Sequence, residues 1–281
     1  MPRLDLLVVG EAFQDLIFAG LPRMPKPGEE LRSAQYVSTI GGGAVITAAA
    51  ASRLGIRSAV VSALSDEAVR YLRGERIRVL NVKRAREPHA VTVALSTSGD
   101  RSFVTFNGVN DRLEPRLLKE VPRLRARHVH FALAPQRVDR WILIVDRLRA
   151  GGVTTSWDFG WNPLLRGRAG FGRLISRVDF VFMNKAEAAM YSRARRTARN
   201  TVIKLGSLGS RWIGPGLDIT VAAPRVRAVD TTGAGDAFNG GFLFAFLEGR
   251  SPRECLRLGN FVGARSTLAA GGLASLPARP V

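Results

Sequence analysis

Asp236 follows Gly233-Ala234-Gly235 and precedes an apolar run, Ala237 to Leu247, that reads as a largely buried helix with Gly249 as its stop. A carboxylate at that place sits in the first turn of a helix. Unpaired N–H groups and the positive end of the helix dipole favour negative charge there. The glycines let an anion approach the backbone closely, so Gly233, Ala234 and Gly235 are expected to form an anion hole. A carboxylate beside an anion hole can take the proton from a hydroxyl as that hydroxyl attacks phosphorus. The other reading of Asp236 is a helix cap and nothing more.

Other residues could share that work. Asn184 and Glu187 lie three apart after the buried run 178–183, on one helical face, and also fit a capping box. Asp15 follows the first apolar run and its glycine turn, where a plain turn or strand-end aspartate is the competing reading. Gly41-Gly42-Gly43 enters an alanine-rich helix that Gly55 ends. His128 and His130 share one face of a strand, but with no third ligand nearby they read as ordinary strand histidines.

The elements that must position these groups alternate. Apolar strands are expected at 4–10, 34–40, 58–63, 153–157, 178–183 and 200–205, and helices at 66–73, 138–150 and 256–269. Runs 90–96 and 102–107, joined by Thr97-Ser-Gly-Asp-Arg, read as a hairpin. The strand–helix repetition predicts an α/β fold with a doubly wound, mostly parallel sheet flanked by helices. Ligands would then sit beyond the carboxyl ends of the strands.

The string Asp230-Thr-Thr-Gly-Ala-Gly-Asp236-Ala-Phe-Asn-Gly-Gly resembles the C-terminal signature of the ribokinase-like (PfkB) family of carbohydrate and nucleoside kinases. The resemblance implies a single ribokinase-like domain over 1–281, with a small β-sheet lid formed by about 11–39 and 89–107. It makes Asp236 the catalytic base and Gly233, Ala234 and Gly235 the anion hole. Asp15, Gly41 and Gly42 would hold the substrate. So would position 46, where Ile46 stands in place of the asparagine most sugar kinases of the family carry. An isoleucine facing the substrate would disfavour a fully hydroxylated furanose. Asn184, Glu187, Lys204, Gly206, Gly209, Asn260 and Gly263 would bind ATP. Glu187 would influence Mg²⁺ through water, and Asp230 is a candidate ligand of a monovalent cation, K⁺. A homodimer through the lid is also implied. Asp66 and Asp158 match weaker family motifs with altered surroundings or spacing. No Gly-x-x-x-x-Gly-Lys-Ser/Thr occurs, so this is not a P-loop nucleotide site.

Composition bounds the rest. The chain has 281 residues and 46% hydrophobic residues, enough for one large α/β domain. One cysteine, Cys255, forms no intramolecular disulfide and suits a reducing, cytoplasmic setting. The N-terminus has acidic residues within its apolar stretch and does not read as a signal peptide. Residues 33–52 carry no charge but include Gln35, Ser38, Thr39 and three glycines, which argues against a membrane span. The net charge is +19, and only 5 of the 42 basic residues are lysine. No aromatic residues interleave the basic clusters, so a solvated basic surface is expected rather than a specific nucleic-acid site. The expected activity is ATP-dependent phosphorylation of a primary hydroxyl of a sugar or sugar-like molecule. The alternatives are a nucleoside kinase of the same fold and a catalytically silent relative that binds a metabolite or nucleic acid.

Overall fold

The computed structural model describes residues 4–97 and 101–278. Its strands, in chain order, are β1 (Leu4–Gly10), β2 (Phe13–Leu21), β3 (Gln35–Gly41), β4 (Ser58–Ser62), β5 (Arg78–Asn81), β6 (Val91–Thr97) and β7 (Arg101–Phe106). They continue with β8 (Ala126–Ala132), β9 (Thr154–Asp158), β10 (Phe180–Asn184), β11 (Thr201–Lys204), β12 (Ser210–Gly214) and β13 (Leu217–Val221). Among the described residues they form a nine-stranded sheet, ordered β13-β12-β11-β10-β9-β8-β1-β4-β5, and a four-stranded sheet, ordered β3-β2-β6-β7.

In the large sheet, β5 through β11 pair in parallel, and β11, β12 and β13 pair antiparallel. The central strand β1 shows why helices must cover both faces. Leu6 and Val8 join one buried cluster with the helices Gly43–Arg53, Ala234–Leu247 and Pro252–Ser266. Leu7 and Val9 join another with Glu114–Glu120, Val138–Ala150 and Phe171–Arg177. A strand buried on both faces reads as an unbroken apolar run, as Leu6-Leu-Val-Val does.

The antiparallel edge was not expected. Ser210–Gly214 and Leu217–Val221 are short and partly exposed, and they carry Arg211 and Asp218, which pair across the strands. Edge strands of this kind carry little apolar signal. The last helix also differs. It starts at Pro252 because Ser251 and Glu254 form a capping box ahead of it, and it ends at Ser266 rather than 269. In the small sheet β6 and β7 pair antiparallel, as a hairpin does, while the expected turn at 97–101 includes residues 98–100, outside the described residues.

Candidate active site

Gly233 caps the Ala234–Leu247 helix with φ 71°, a left-handed backbone that glycine adopts without strain. Asp236 follows in the first turn. A Cβ placed on Gly43 would lie 3.1 Å from Asp236 Oδ1, so the Asp236 turn and the N-terminal glycine loop touch. The Thr47 hydroxyl donates to the Asp236 carbonyl at 3.1 Å and fixes one helix against the other.

Beneath the loop lies a buried charge network. Lys204 Nζ donates to Asp158 Oδ2 at 2.6 Å and approaches Gly235 O at 3.5 Å and Asn239 Oδ1 at 3.4 Å. Asn239 Nδ2 donates to the same Asp158 oxygen at 2.8 Å. Burial opposes the charge on each partner of the ion pair. Lys204 nevertheless holds Asp158 below the usual aspartate range, and Asp158 with Asp236 holds Lys204 above the usual lysine range. Asp236 itself is pushed up to about 7, first by burial and then by the negative charge of Asp158, with Glu187 and Asp15 adding to it and Lys204 opposing.

Asn184 and Glu187 close a capping box. Glu187 accepts from Asn184 N and Nδ2, each at 2.8 Å, and its own N–H donates to Asn184 Oδ1 at 2.8 Å. Burial raises the Glu187 pKa, and Asp158 adds to the effect. Both carboxylate oxygens therefore have donors from the protein, which suits action on a cation through water rather than direct ligation. Among the described residues no group of three acidic, histidine or cysteine side chains could hold a metal by itself.

His128 and His130 both bond the Ser156 hydroxyl, at 2.7 Å, and His128 also bonds Thr154 at 2.8 Å. Burial keeps both rings neutral, with His130 held down at about 4. They are interior histidines stacked beneath Asp158.

On one side of Asp236 opens a cavity of about 490 Å³. Lys204, Gly206, Gly209, Gly235, Asn260 and Gly263 all line it. Gly209 brings its backbone against Val221, where a Cβ could not fit. Asn260 donates to the carbonyls of Val221 and Ala222 at 2.9 and 3.3 Å, so its amide shapes the wall. Asn184 and Glu187 do not line this cavity.

On the other side the small sheet faces the 228–231 segment across a cavity of about 700 Å³. Asp15 is buried at the root of that sheet, and a Cβ on Gly41 would overlap its carboxylate. Burial raises the Asp15 pKa to about 6, with Asp230 contributing. Gly42, at φ 94°, lets the loop pass over the Glu11 carbonyl. Asp230 accepts from Thr232 N and Oγ1 at 2.9 and 2.8 Å, and from Gly271 N at 2.8 Å, tying the 230–235 loop to the 270–272 loop.

Ile46 departs from expectation. It is 2% exposed, and its Cδ1 occupies the space a Cβ on Gly233 or Gly272 would need. It fills the gap behind the two glycine loops instead of facing an acceptor.

Three residues of the site were missed as site residues in the sequence. Asn239 sits inside the signature string, and its spacing three after Asp236 was the available signal. Asp158 was matched to a weaker family motif with altered spacing but given no role. Glu11, pushed up to about 7 by burial and by Asp111, follows β1 directly, where open α/β sheets place their ligands.

Comparison with known proteins gives the family and the fold. The model of the pfkB family carbohydrate kinases matches residues 3–279. An uncharacterized sugar kinase of Archaeoglobus fulgidus is 31% identical over 247 residues, 80% of this chain and 97% of that protein. Adenosine kinase from Sinorhizobium meliloti superposes with a TM-score of 0.79 at 25% identity, covering 96% of each chain. Arabidopsis thaliana ribokinase complexed with ribose and ATP gives 0.78 at 23% identity, covering 99% of this chain and 97% of that one. The chain belongs to the pfkB family of carbohydrate kinases, ATP-dependent enzymes of the ribokinase fold.

Proposed function

We propose that this kinase transfers the γ-phosphoryl group of ATP to a primary hydroxyl of a sugar or sugar-like acceptor, with Asp236 as general base. The observation that carries the reading is the position of Asp236. It lies in the glycine-started helical turn, against Gly43 of the loop beside Asp15, while Gly235 of the same turn lines the 490 Å³ cavity. An acceptor bound by Asp15, Gly41 and Gly42 would point a hydroxyl at Asp236. ATP in the cavity lined by Lys204, Gly206, Gly209, Asn260 and Gly263 would bring its terminal phosphate to the Gly233–Gly235 amides. With its pKa near 7, Asp236 is matched to proton transfer at neutral pH.

Mg²⁺ bound with ATP would neutralise phosphate charge. Glu187 and Asn184, already hydrogen-bonded to each other, would orient its water shell. Asp230, where two loops meet, is the residue through which K⁺ would act. The small sheet would serve as the lid that excludes water. The outer face of this lid presents Leu16, Phe18, Tyr36, Val93, Val104 and Phe106, of which Tyr36, Val104 and Phe106 are more than half exposed. That apolar face supports a homodimer built lid to lid.

The test is an ATP-consumption screen over pentoses, hexoses and nucleosides, run with the wild type and Asp236→Asn, with and without Mg²⁺ and K⁺. Acceptor-dependent turnover that the variant loses is expected. ATP consumption indifferent to acceptor and to Asp236 would overturn the reading.

A further inference from the structure

Lys204 acts on both Asp158 and Asp236, yet the protein bonds the two carboxylates very differently. Asp158 ends β9 with both oxygens engaged. Its Oδ2 accepts from Lys204 Nζ at 2.6 Å and Asn239 Nδ2 at 2.8 Å, and its Oδ1 accepts from Gly160 N at 3.2 Å. Among the described residues no donor bonds the Asp236 carboxylate. An ammonium has three protons to give. Those of Lys204 have Asp158 Oδ2, Asn239 Oδ1 at 3.4 Å and Gly235 O at 3.5 Å as partners, and Asp236 is not among them. The ammonium is nonetheless close to the base, since a Cβ on Gly235 would lie 3.1 Å from Nζ. Asn239 fixes the arrangement from the same helix as Asp236. It stands three residues on, on the same helical face, and its amide faces both members of the ion pair.

Burial pushes both carboxylates up. At Asp158 the Lys204 ammonium and the bonds from Lys204 and Asn239 outweigh it and hold the group below the usual aspartate range. Asp236 stays up at about 7, with the Asp158 charge adding to burial and Lys204 opposing only in part. Carboxylates driven apart in this way take different work, one as a standing anion and the other as a proton acceptor. Four charged groups face Asp236: Asp158 from β9, Lys204 from β11, Glu187 from the Lys185–Met190 helix and Asp15 from β2. The helices Gly43–Arg53 and Pro252–Ser266 meet its first turns with Gly43, Thr47 and Gly263, none of them charged. His130, which faces Asp158 and Lys204 from β8, is kept neutral by burial. Lys204 is thus the positive charge at hand, and a direct bond to it would leave Asp236 a poor proton acceptor.

We propose that Asp158 is a positioning residue that acts on Asp236 through Lys204, holding the ammonium one residue short of the base so that Asp236 meets the acceptor hydroxyl free of an ion pair. The inference rests on the kinase reading above. Asn239 shares the task by tying Asp158 to the helix that carries Asp236. Loss of the Asp158 charge frees the ammonium to pair with Asp236, which then gives up its basicity.

The experiment follows the Asp236 carboxyl carbon by NMR through a pH titration of protein carrying isotope-labelled aspartate, with Asp236→Asn identifying the signal. Wild type, Asp158→Asn, Lys204→Met and the double variant are compared. Lys204→Met should raise the midpoint. Asp158→Asn should lower it by about one pH unit or more where Lys204 is present, and by less than half as much in the Lys204→Met background. Asp158→Asn leaves a buried lysine behind, so Asn239→Leu is run beside it in the same two backgrounds. That change removes one tie from each partner and no charge, and it should lower the midpoint only where Lys204 is present. A merely structural role would leave the midpoints together. A shift no larger with Lys204 than without it, in either folded variant, would overturn the inference. The titration needs no acceptor, so it is decided separately from the acceptor screen, whose failure would sink the kinase reading alone. Where the screen finds an acceptor, the acid limb of kcat/KM should move with the midpoint.

Discussion

Lys204 donates to Asp158 across 2.6 Å while its Nζ lies 3.5 Å from the carbonyl of Gly235, so one ion pair underlies the Gly233–Gly235 loop. Both side chains are largely buried, at 14% and 10% exposure. Removing one partner leaves the other buried without its nearest counter-charge, Asp158 keeping only the Asn239 and Gly160 hydrogen bonds. Lys204→Met should lose about 3–5 kcal/mol of stability in urea unfolding. The Lys204→Met/Asp158→Asn double variant should recover part of it, since the remaining groups are uncharged. Additive losses in the double variant would show that the pair is not coupled.

The rate should depend on the charge state of Asp236. Asp236→Asn should lower kcat by about 10²–10⁴ with ATP binding retained. In the wild type, kcat/KM should climb with pH up to about 7, as Asp236 loses its proton among Asp158, Glu187, Asp15 and Lys204. A pH-independent rate between 5 and 8 in the same buffers would contradict the role of base.

Stability should move the opposite way with pH. The folded pKa of Asp236 is raised to about 7, above the unfolded value, so its contribution is fully present in acid and is lost as pH rises through 7. Asp236→Asn escapes that loss. Its Tm relative to wild type should therefore be higher at pH 8.5 than at pH 5, by roughly 5–10 °C for a domain of this size. Differential scanning calorimetry at the two pH values measures this.

Ile46 tests packing against recognition. Ile46→Asn puts an amide into an apolar gap between Gly233 and Gly272 and should cost about 2–5 kcal/mol. Ile46→Val should cost about 0.5–1.5 kcal/mol. Neither should reorder the acceptor panel, because the side chain is 2% exposed. A changed acceptor order in the folded Val variant would return Ile46 to the acceptor site.

The basic surface should behave as a solvated one. Activity should vary little between low and physiological salt, and duplex DNA should bind weakly and without saturation at physiological salt. Fluorescence anisotropy with labelled duplex would expose a tight, sequence-selective complex if one existed.

Much of this architecture was legible before any coordinates. The Asp230–Asp236 string, the buried parallel strands and the glycine-led helices carry signals in adjacent residues, where periodicity and turn chemistry act. What was not legible depends on distance along the chain. Lys204, Asp158 and Asn239 meet from three elements, and nothing in each one's own neighbourhood announces the other two. Ile46 was expected at the acceptor from its position in the motif, while its surroundings come from Gly233 and Gly272, more than a hundred residues away in sequence. The β12–β13 edge escaped because half-exposed strands with paired charges look like loops.

The contact between the Gly43–Arg53 and Ala234–Leu247 helices has a consequence for how such a protein can change. The groups proposed for the acceptor come mostly from the first 107 residues, and those proposed for the nucleotide mostly from residue 184 onward. The two meet where Thr47 holds Asp236 and where Gly240 leaves room for Ala50. Each half can vary its own ligand contacts without disturbing the other, provided this joint keeps its small residues. A Cβ at Gly240 would press on Thr47 O and Ala50. It touches neither ligand, yet it would shift both halves out of line at once, so the joint tolerates less variation than the two sites it aligns.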